Sequence, residues 1–213
     1  MCHPQARFFF SANEEFPLRR RQERDGIQVV GNYVALLRGI NVGRAKRVAM
    51  ADLRQMVEAL GGTQVRTVLN SGNVCFRSPK RSASVLATAL KDALRDRLTI
   101  DCGVVVLDAE TYRRILVANP LTQAGEDPAR FLVAFVASAQ DLEPIRACPP
   151  RVLPPDRLAV GDAAAYVWCA SGVLDSPVSK VLARAAGDTC TTRNWSTAQR
   201  VLAALESLES NED

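Results

Sequence analysis

The order of strand-like and helix-like segments is the feature that most constrains the fold of this chain. From Tyr33 onward, short apolar runs typical of strands alternate with longer segments whose apolar residues recur at helical spacing. The first segments follow the order strand, helix, strand, strand, helix, strand, which is that of the split β-α-β unit. This order predicts an antiparallel sheet with two helices on one face. The predicted strands span residues 33–37, 64–69, 74–77 and 103–107, and the predicted helices span residues 50–60 and 82–98.

The second half of the chain partly repeats this order. We therefore predict an α+β protein made of two ferredoxin-like (βαββαβ) units, with antiparallel sheets and helices packed on one face. The units are assigned to residues 33–108 and 109–210. The predicted segments of the second unit are helices at 109–118, 138–147, 178–186 and 195–208, strands at 131–136, 157–160, 164–169 and 189–192, and a loop at 119–128.

Residues 1–32 are predicted to be a disordered N-terminal extension. An apolar triplet, Phe8 to Phe10, precedes the basic run Arg19 to Arg21. A secretory signal needs the reverse order and a longer apolar stretch, so this segment does not resemble one. The segment is either appended to the folded protein or the product of a start codon assigned too far upstream.

Composition excludes several classes of function. The chain has 213 residues and a net charge of +4, well short of the basic density of a dedicated nucleic-acid binder. Its only histidine is His3, so the core offers no Ser-His-Asp triad, no Cys-His pair and no histidine metal site. Its six cysteines form no C-x-x-C pair and suit buried positions in a reducing compartment. No apolar run approaches the roughly 18 residues of a membrane span. We therefore predict a cytoplasmic protein with no metal, no cofactor and no membrane partner.

A basic loop that contains glycines follows the first predicted strand. Glycines and cations at the end of a buried strand suit anion binding by backbone N–H groups and side chains. The spacing of the glycines matches neither the P-loop motif nor the dinucleotide-binding fingerprint. The loop is interpreted either as an anion cradle or as a solvated connection in which the glycines serve only to turn the chain. Its candidate ligand-binding residues are Arg38, Asn41, Gly43, Arg44, Lys46 and Arg47.

The predicted hairpin turn between the second and third strands is another candidate region. Asn70, Ser71, Gly72 and Asn73 suit a tight turn because glycine and asparagine tolerate positive φ. If the turn and the basic loop lie at the same end of the sheet, then Asn70, Ser71 and Asn73 present polar groups beside the loop. Otherwise, backbone preference alone explains the turn residues.

The last candidate region is the segment TTRNW, from Thr191 to Trp195, before the final predicted helix. Asn194 suits the N-cap of that helix, and Trp195 suits either the core or a stacking contact with a base. Arg193 places a cation beside the positive end of the helix dipole, which predicts a bound anion or a nearby carboxylate.

Three stretches of the sequence resemble the DUF1697 family, a bacterial family of unknown function. They are YVALLRGINVG, LNSGNVCF and TTRNWST, and the likeness runs from about Tyr33 to about Ala204. The resemblance implies two intertwined ferredoxin-like units and implies no mechanism. It also makes Lys180 a candidate site residue, because Ser179-Lys180 follows the family pattern. The chain departs from that pattern at Arg44, where the family usually has glycine, and in the stretch GVLDSPVSK.

Three functions are compatible with these patterns. The first is binding of a phosphate-bearing ligand, a nucleotide or a nucleic acid, on a polar face built from the basic loop, the hairpin turn and the TTRNW segment. The second is an enzyme acting on a phosphorylated or acylated small molecule. Without a core histidine, it would need Lys180, a carboxylate or a bound metal as its acid–base group. The third is an oligomeric scaffold whose motifs serve packing only. The sequence identifies neither a catalytic residue nor an oligomeric state.

Overall fold

The protein is a mixed α+β structure with two antiparallel sheets of four strands each. The computed structural model describes residues 30–43, 46–79, 81–121, 127–147, 154–179, 182 and 187–210. The first sheet has the order β2-β3-β1-β4 and the second has the order β6-β7-β5-β8, so the two sheets repeat one arrangement. The strands are β1 (Val30–Leu37), β2 (Thr63–Val68), β3 (Asn73–Pro79), β4 (Val104–Asp108), β5 (Phe131–Val136), β6 (Arg157–Val160), β7 (Ala164–Trp168) and β8 (Cys190–Asn194).

Five α-helices lie in the described chain, and residues 177–179 and 182 are also helical. Three of the five have an N-cap residue whose side chain accepts a hydrogen bond from an N–H group of the first turn. These residues are Ser82, Asp108 and Asn194. None of the described helices is long and apolar enough to cross a membrane. The helices are α1 (Met50–Ala59), α2 (Ala83–Leu98), α3 (Ala109–Val117), α4 (Glu143–Ala147) and α5 (Trp195–Glu209).

Both faces of each sheet are covered. In β1, Ala35 and Leu37 pack with α1 and α2, whereas Val34 and Leu36 pack with α3, α5 and the second sheet. The other face of the second sheet packs against α4 and Leu182. The prediction of two helices on one face is thus confirmed for α1 and α2, but the confinement of helices to one face is wrong. The reason is that β1 is apolar on both of its sides, so both sides have to be covered.

Residues 30–32 belong to the first sheet and not to an N-terminal extension. They form the start of β1, which begins three residues earlier than the sequence predicts. The pattern misses them because Gly31 and Asn32 have weak strand preference, although both pair with β3. Residues 1–29, and parts of the segments predicted at 119–128 and 178–186, lie outside the described residues.

The last strand and the fourth helix also differ from prediction. Strand β8 continues past the predicted end, through Asn194. The helix predicted at 138–147 is a 3₁₀ turn followed by the short α4, because Pro144 lacks the N–H group needed to continue one α-helix. The extension of β8 places Arg193 in the second sheet, where it pairs with Val133 of β5.

Candidate functional site

The end of β1 is tied to the hairpin turn and to the start of β4. The N–H of Leu37 donates to the carbonyl of Gly72 at 2.8 Å, and the N–H of Arg38 donates to the carbonyl of Gly103 at 2.8 Å. Gly72 has φ +75°, and a Cβ there would lie 2.7 Å from Cδ1 of Ile40. Only glycine therefore allows the turn to approach the loop this closely. The basic loop and the turn lie at the same end of the first sheet, as a shared polar rim requires.

The side chain of Asn41 holds the basic loop in shape. Asn41 has φ +57°, a conformation that asparagine tolerates. Its Nδ2 donates to the carbonyl of Val48 at 2.9 Å and to that of Asn70 at 2.8 Å, and its Oδ1 accepts from the N–H of Val48 at 2.9 Å. These bonds close the loop on itself and fasten it to the hairpin turn. The amide of Asn41 therefore organises the loop from within.

The guanidinium of Arg193 joins three distant segments of the chain. A guanidinium carries five N–H groups, and each of these has an acceptor within the protein. The acceptors lie at the end of β1, in or just after the hairpin turn, and in β8 itself. They are Asn73 Oδ1 for Nε, Thr191 Oγ1 (2.8 Å) and the Thr192 carbonyl (2.8 Å) for Nη1, and the carbonyls of Leu37 (2.7 Å) and Ser71 (3.1 Å) for Nη2.

The charge of Arg193 is buried beside neutral oxygens. The residue is only 6% exposed. The sequence predicts a bound anion or a carboxylate beside it, but its partners among the described residues are carbonyl, amide and hydroxyl oxygens. Burial lowers the pKa of Arg193 to about 10, so the guanidinium is still protonated near neutral pH. The structure thus holds a positive charge that no described carboxylate neutralises.

A cleft of about 650 Å³ opens where these three segments meet, and we call it the junction cleft. One part of its wall is polar and includes Arg38 and Arg193, while another part is aliphatic. None of the described residues that line it is acidic. They are Leu37, Arg38, Gly39, Ile40, Val42, Ser71, Ala129, Leu132, Val173, Cys190, Thr191, Thr192, Arg193, Asn194 and Thr197.

Arg38 and Cys190 lie side by side in the wall of the junction cleft. Nη1 of Arg38 donates to the carbonyl of Cys190 at 3.2 Å. Arg38 is half-buried, so part of its side chain faces the cleft. Burial raises the pKa of the Cys190 thiol to about 11, and the nearby charge of Arg38 offsets only part of this rise. Cys190 is therefore a neutral thiol near neutral pH and not a nucleophilic thiolate.

The residues predicted from the sequence fall into several groups. Those that line the junction cleft are Arg38, Ser71, Arg193 and Asn194, while Asn73 is buried beneath Arg193. A separate pocket of about 450 Å³ at the start of α1 is lined in part by Asn41, Arg47 and Asn70. Gly43 and Lys46 are exposed, and Arg44 and Lys180 lie outside the described residues. Trp195 packs against the central apolar cluster, the buried residues between the two sheets that include Val34, Tyr112, Phe135 and Val201.

The aliphatic wall of the junction cleft has no clear signature in the sequence. Leu132 and Val173 look like ordinary core residues, and only the fold brings them to the cleft. Thr197 also lines the cleft, but no pattern in the sequence around it predicts this position. Val42 carries a usable signal, because an apolar residue in a loop of glycines and cations is unusual, and the structure leaves it 72% exposed. No group of three or more metal-ligating side chains occurs among the residues that the structure describes.

A second polar cleft, of about 500 Å³, lies at the opposite end of β1, and we call it the far cleft. Its described lining includes two arginines, Arg81 and Arg114, and three acids. Asp108 accepts from the N–H of Thr111 at 2.7 Å as the cap of α3. The other acids are Glu110 and Glu209, of which Glu209 pairs with Arg113 at 2.9 Å.

Comparison with known proteins supports the fold and supplies no activity. The model of a family described as "Protein of unknown function (DUF1697)" matches residues 30–166, so the match ends within β7 and before the TTRNW segment. The conserved bacterial protein SP0830 from Streptococcus pneumoniae has a similar structure, with a TM-score of 0.66 and 24% identity. The alignment covers 83% of this chain and 99% of that protein. No curated protein matches the sequence.

Proposed function

We propose that this chain, which belongs to the DUF1697 family, binds a phosphate-bearing ligand in the junction cleft. One observation carries the proposal. Two arginines, Arg38 and Arg193, line the same cleft, and the described lining contains no acid. Arg193 is buried, and none of its described hydrogen-bond partners is a carboxylate. A buried cation of this kind is costly in a protein interior, and a bound anion offsets part of that cost. The nucleotide or nucleic acid expected from the sequence remains a prediction.

The two arginines have different roles in this proposal. Arg193 uses its N–H groups to hold the cleft together, so it contributes charge and position. We assign Arg38 as the direct donor to the phosphate oxygens, because it lines the cleft and is only half-buried. The N-terminus of α5 lies at the same cleft through Asn194 and Thr197, and its dipole adds to the positive potential.

Binding suits the described geometry better than catalysis does. The pKa of Cys190 is raised to about 11 and that of Arg193 is lowered to about 10. Neither group changes its charge near neutral pH, whereas a general acid or base works best with a pKa near the working pH. The enzyme and scaffold alternatives have no specific observation in their favour.

We also propose that each sheet with its helices is a ferredoxin-like unit and that the units predicted at 33–108 and 109–210, the first of them extended to Val30 by β1, are intertwined. The strand order, which is the same in both sheets, supports the first part. The packing of α3 and α5 between the sheets supports the second. A cytoplasmic location fits the four described cysteines, which are buried and free.

Calorimetric titration with inorganic phosphate tests the proposed binding. We expect affinity that falls with added salt, since the attraction is between charges. We expect Arg38→Gln to weaken binding at least tenfold, because a charge-assisted hydrogen bond contributes about 1.5–3 kcal/mol. Arg54→Gln, at an exposed arginine of α1, is the matched control and should leave the affinity unchanged. Absence of binding, or an equal loss in both variants, would contradict the proposal.

A further inference from the structure

We infer that the ligand of the junction cleft is a phosphate ester of a short aliphatic alcohol and not a nucleotide. The inference rests on the proposed phosphate binding and concerns the rest of the ligand. The cleft measures about 650 Å³, within the range of small-molecule sites and larger than a phosphate group alone can fill. The walls beyond the arginines therefore determine what else is bound.

Aliphatic residues from both halves of the chain form those walls. Leu37 and Ile40 are buried residues whose surfaces reach the cleft from the first half of the chain. Leu132 and Val173 reach it from the second half. An alkyl chain between these two groups would be removed from water on both sides, at a gain proportional to the apolar area that is buried.

Val42 extends this surface to the mouth of the cleft. This residue, between Asn41 and Gly43, is 72% exposed and lines the cleft. A single exposed valine means little by itself. Here it continues a wall that already includes Leu37 and Ile40, so a bound alkyl chain would cover it as well.

The described lining of the cleft contains no aromatic side chain. Nucleotide and single-strand sites commonly hold bases by stacking them on aromatic rings. Trp195 is the ring that the sequence offers for stacking, but it packs against the central apolar cluster. A nucleobase would therefore meet aliphatic walls and have no ring to stack on.

Titration with methyl phosphate, n-butyl phosphate and adenosine monophosphate tests the inference. Each buried methylene improves affinity about fourfold, from the transfer free energy of a methylene group. We expect n-butyl phosphate to bind at least tenfold more tightly than methyl phosphate, and adenosine monophosphate to bind no more tightly than methyl phosphate. Equal affinity for the two esters, or tightest binding of adenosine monophosphate, would overturn the inference and leave phosphate binding intact.

Paired variants separate this inference from the proposed function. Val42→Ser should reduce the advantage of the butyl ester at least threefold and leave methyl phosphate binding unchanged. Val117→Ser is the matched control, since Val117 is 82% exposed on α3 and lines neither of the clefts defined above. Arg38→Gln should weaken both esters by the same factor. If neither ester nor phosphate binds, the proposed function itself fails. If Val42→Ser and Val117→Ser behave alike, the aliphatic wall is not the binding surface.

Discussion

The two clefts at the ends of β1 contain equal numbers of described arginines but differ in their acids. The junction cleft has Arg38 and Arg193 with no acid in its described lining. The far cleft has Arg81 and Arg114 together with three acids, of which Asp108 is one. The number of cations in a cleft therefore does not by itself identify an anion site. What distinguishes the junction cleft is the buried guanidinium of Arg193, none of whose described hydrogen-bond acceptors is a carboxylate.

Removal of the buried guanidinium of Arg193 is expected to have the largest effect. Arg193→Met leaves several buried oxygens without a donor, so we expect the free energy of unfolding to fall by about 3 kcal/mol or more. Arg193→Lys should also destabilise, because an ammonium cannot reproduce the planar fork. Arg114→Met in the far cleft is the matched control, and a change within about 0.5 kcal/mol is expected at this exposed residue. Urea denaturation measures all three; a fully stable Arg193→Lys would mean that charge alone suffices.

The acceptors of Arg193 also show the limit of prediction from the sequence. The TTRNW pattern identified Asn194 as a helix cap, and the structure confirms it, with the N–H of Thr197 donating at 2.9 Å. The same pattern marked Arg193 as needing a partner. The pattern could not identify that partner, because the main acceptors are backbone carbonyls. One of them belongs to Leu37, which lies 156 positions away, and a backbone carbonyl has no signature in the sequence.

The fold was predictable where periodicity was strong. Strand β5 and the hairpin between β2 and β3 follow directly from apolar runs and turn residues. The placement of α3 and α5 against the first sheet was not predictable, because it depends on which helix covers the second apolar face of β1. For the same reason the sequence could not show whether the three candidate regions meet. Asn41 stabilises the basic loop through its hydrogen bonds, and Trp195 packs against the apolar core.

A smaller effect is expected from a substitution that forces the start of β4 away from the segment before β8. A Cβ at Gly103 would lie 2.2 Å from the carbonyl oxygen of Asp188, just before β8. The atom it meets is backbone and cannot rotate away, so Gly103→Ala should lower the free energy of unfolding by about 1–3 kcal/mol.

Gly161→Ala is the control for that change. A Cβ at Gly161 would lie 3.3 Å from the ring of Tyr166, so only a small shift is needed there. Thermal or urea unfolding of both variants compares them. If the two variants are equally stable, close contact at Gly103 is not what holds β8 against the end of β4.

A change of charge at the N-cap of α5 is expected to have the mildest effect on stability. Asn194→Ala removes the cap of α5 and should cost about 1 kcal/mol of stability. Asn194→Asp keeps a capping oxygen, so stability should be retained, but it places a carboxylate in the lining of the junction cleft. We expect phosphate affinity to fall several-fold in Asn194→Asp through charge repulsion. Unchanged phosphate affinity in this variant would contradict binding near α5.

The most direct test is to find where inorganic phosphate binds, by following backbone ¹H–¹⁵N signals during a titration. The account predicts saturable shifts at residues 38–42, 71 and 190–197, which surround the junction cleft. Residues 30–33, 81–83 and 108–111, around the far cleft, should not move. Shifts confined to the far cleft, or no saturable shift at either end of β1, would contradict the claim that the unneutralised charge at the junction makes an anion site.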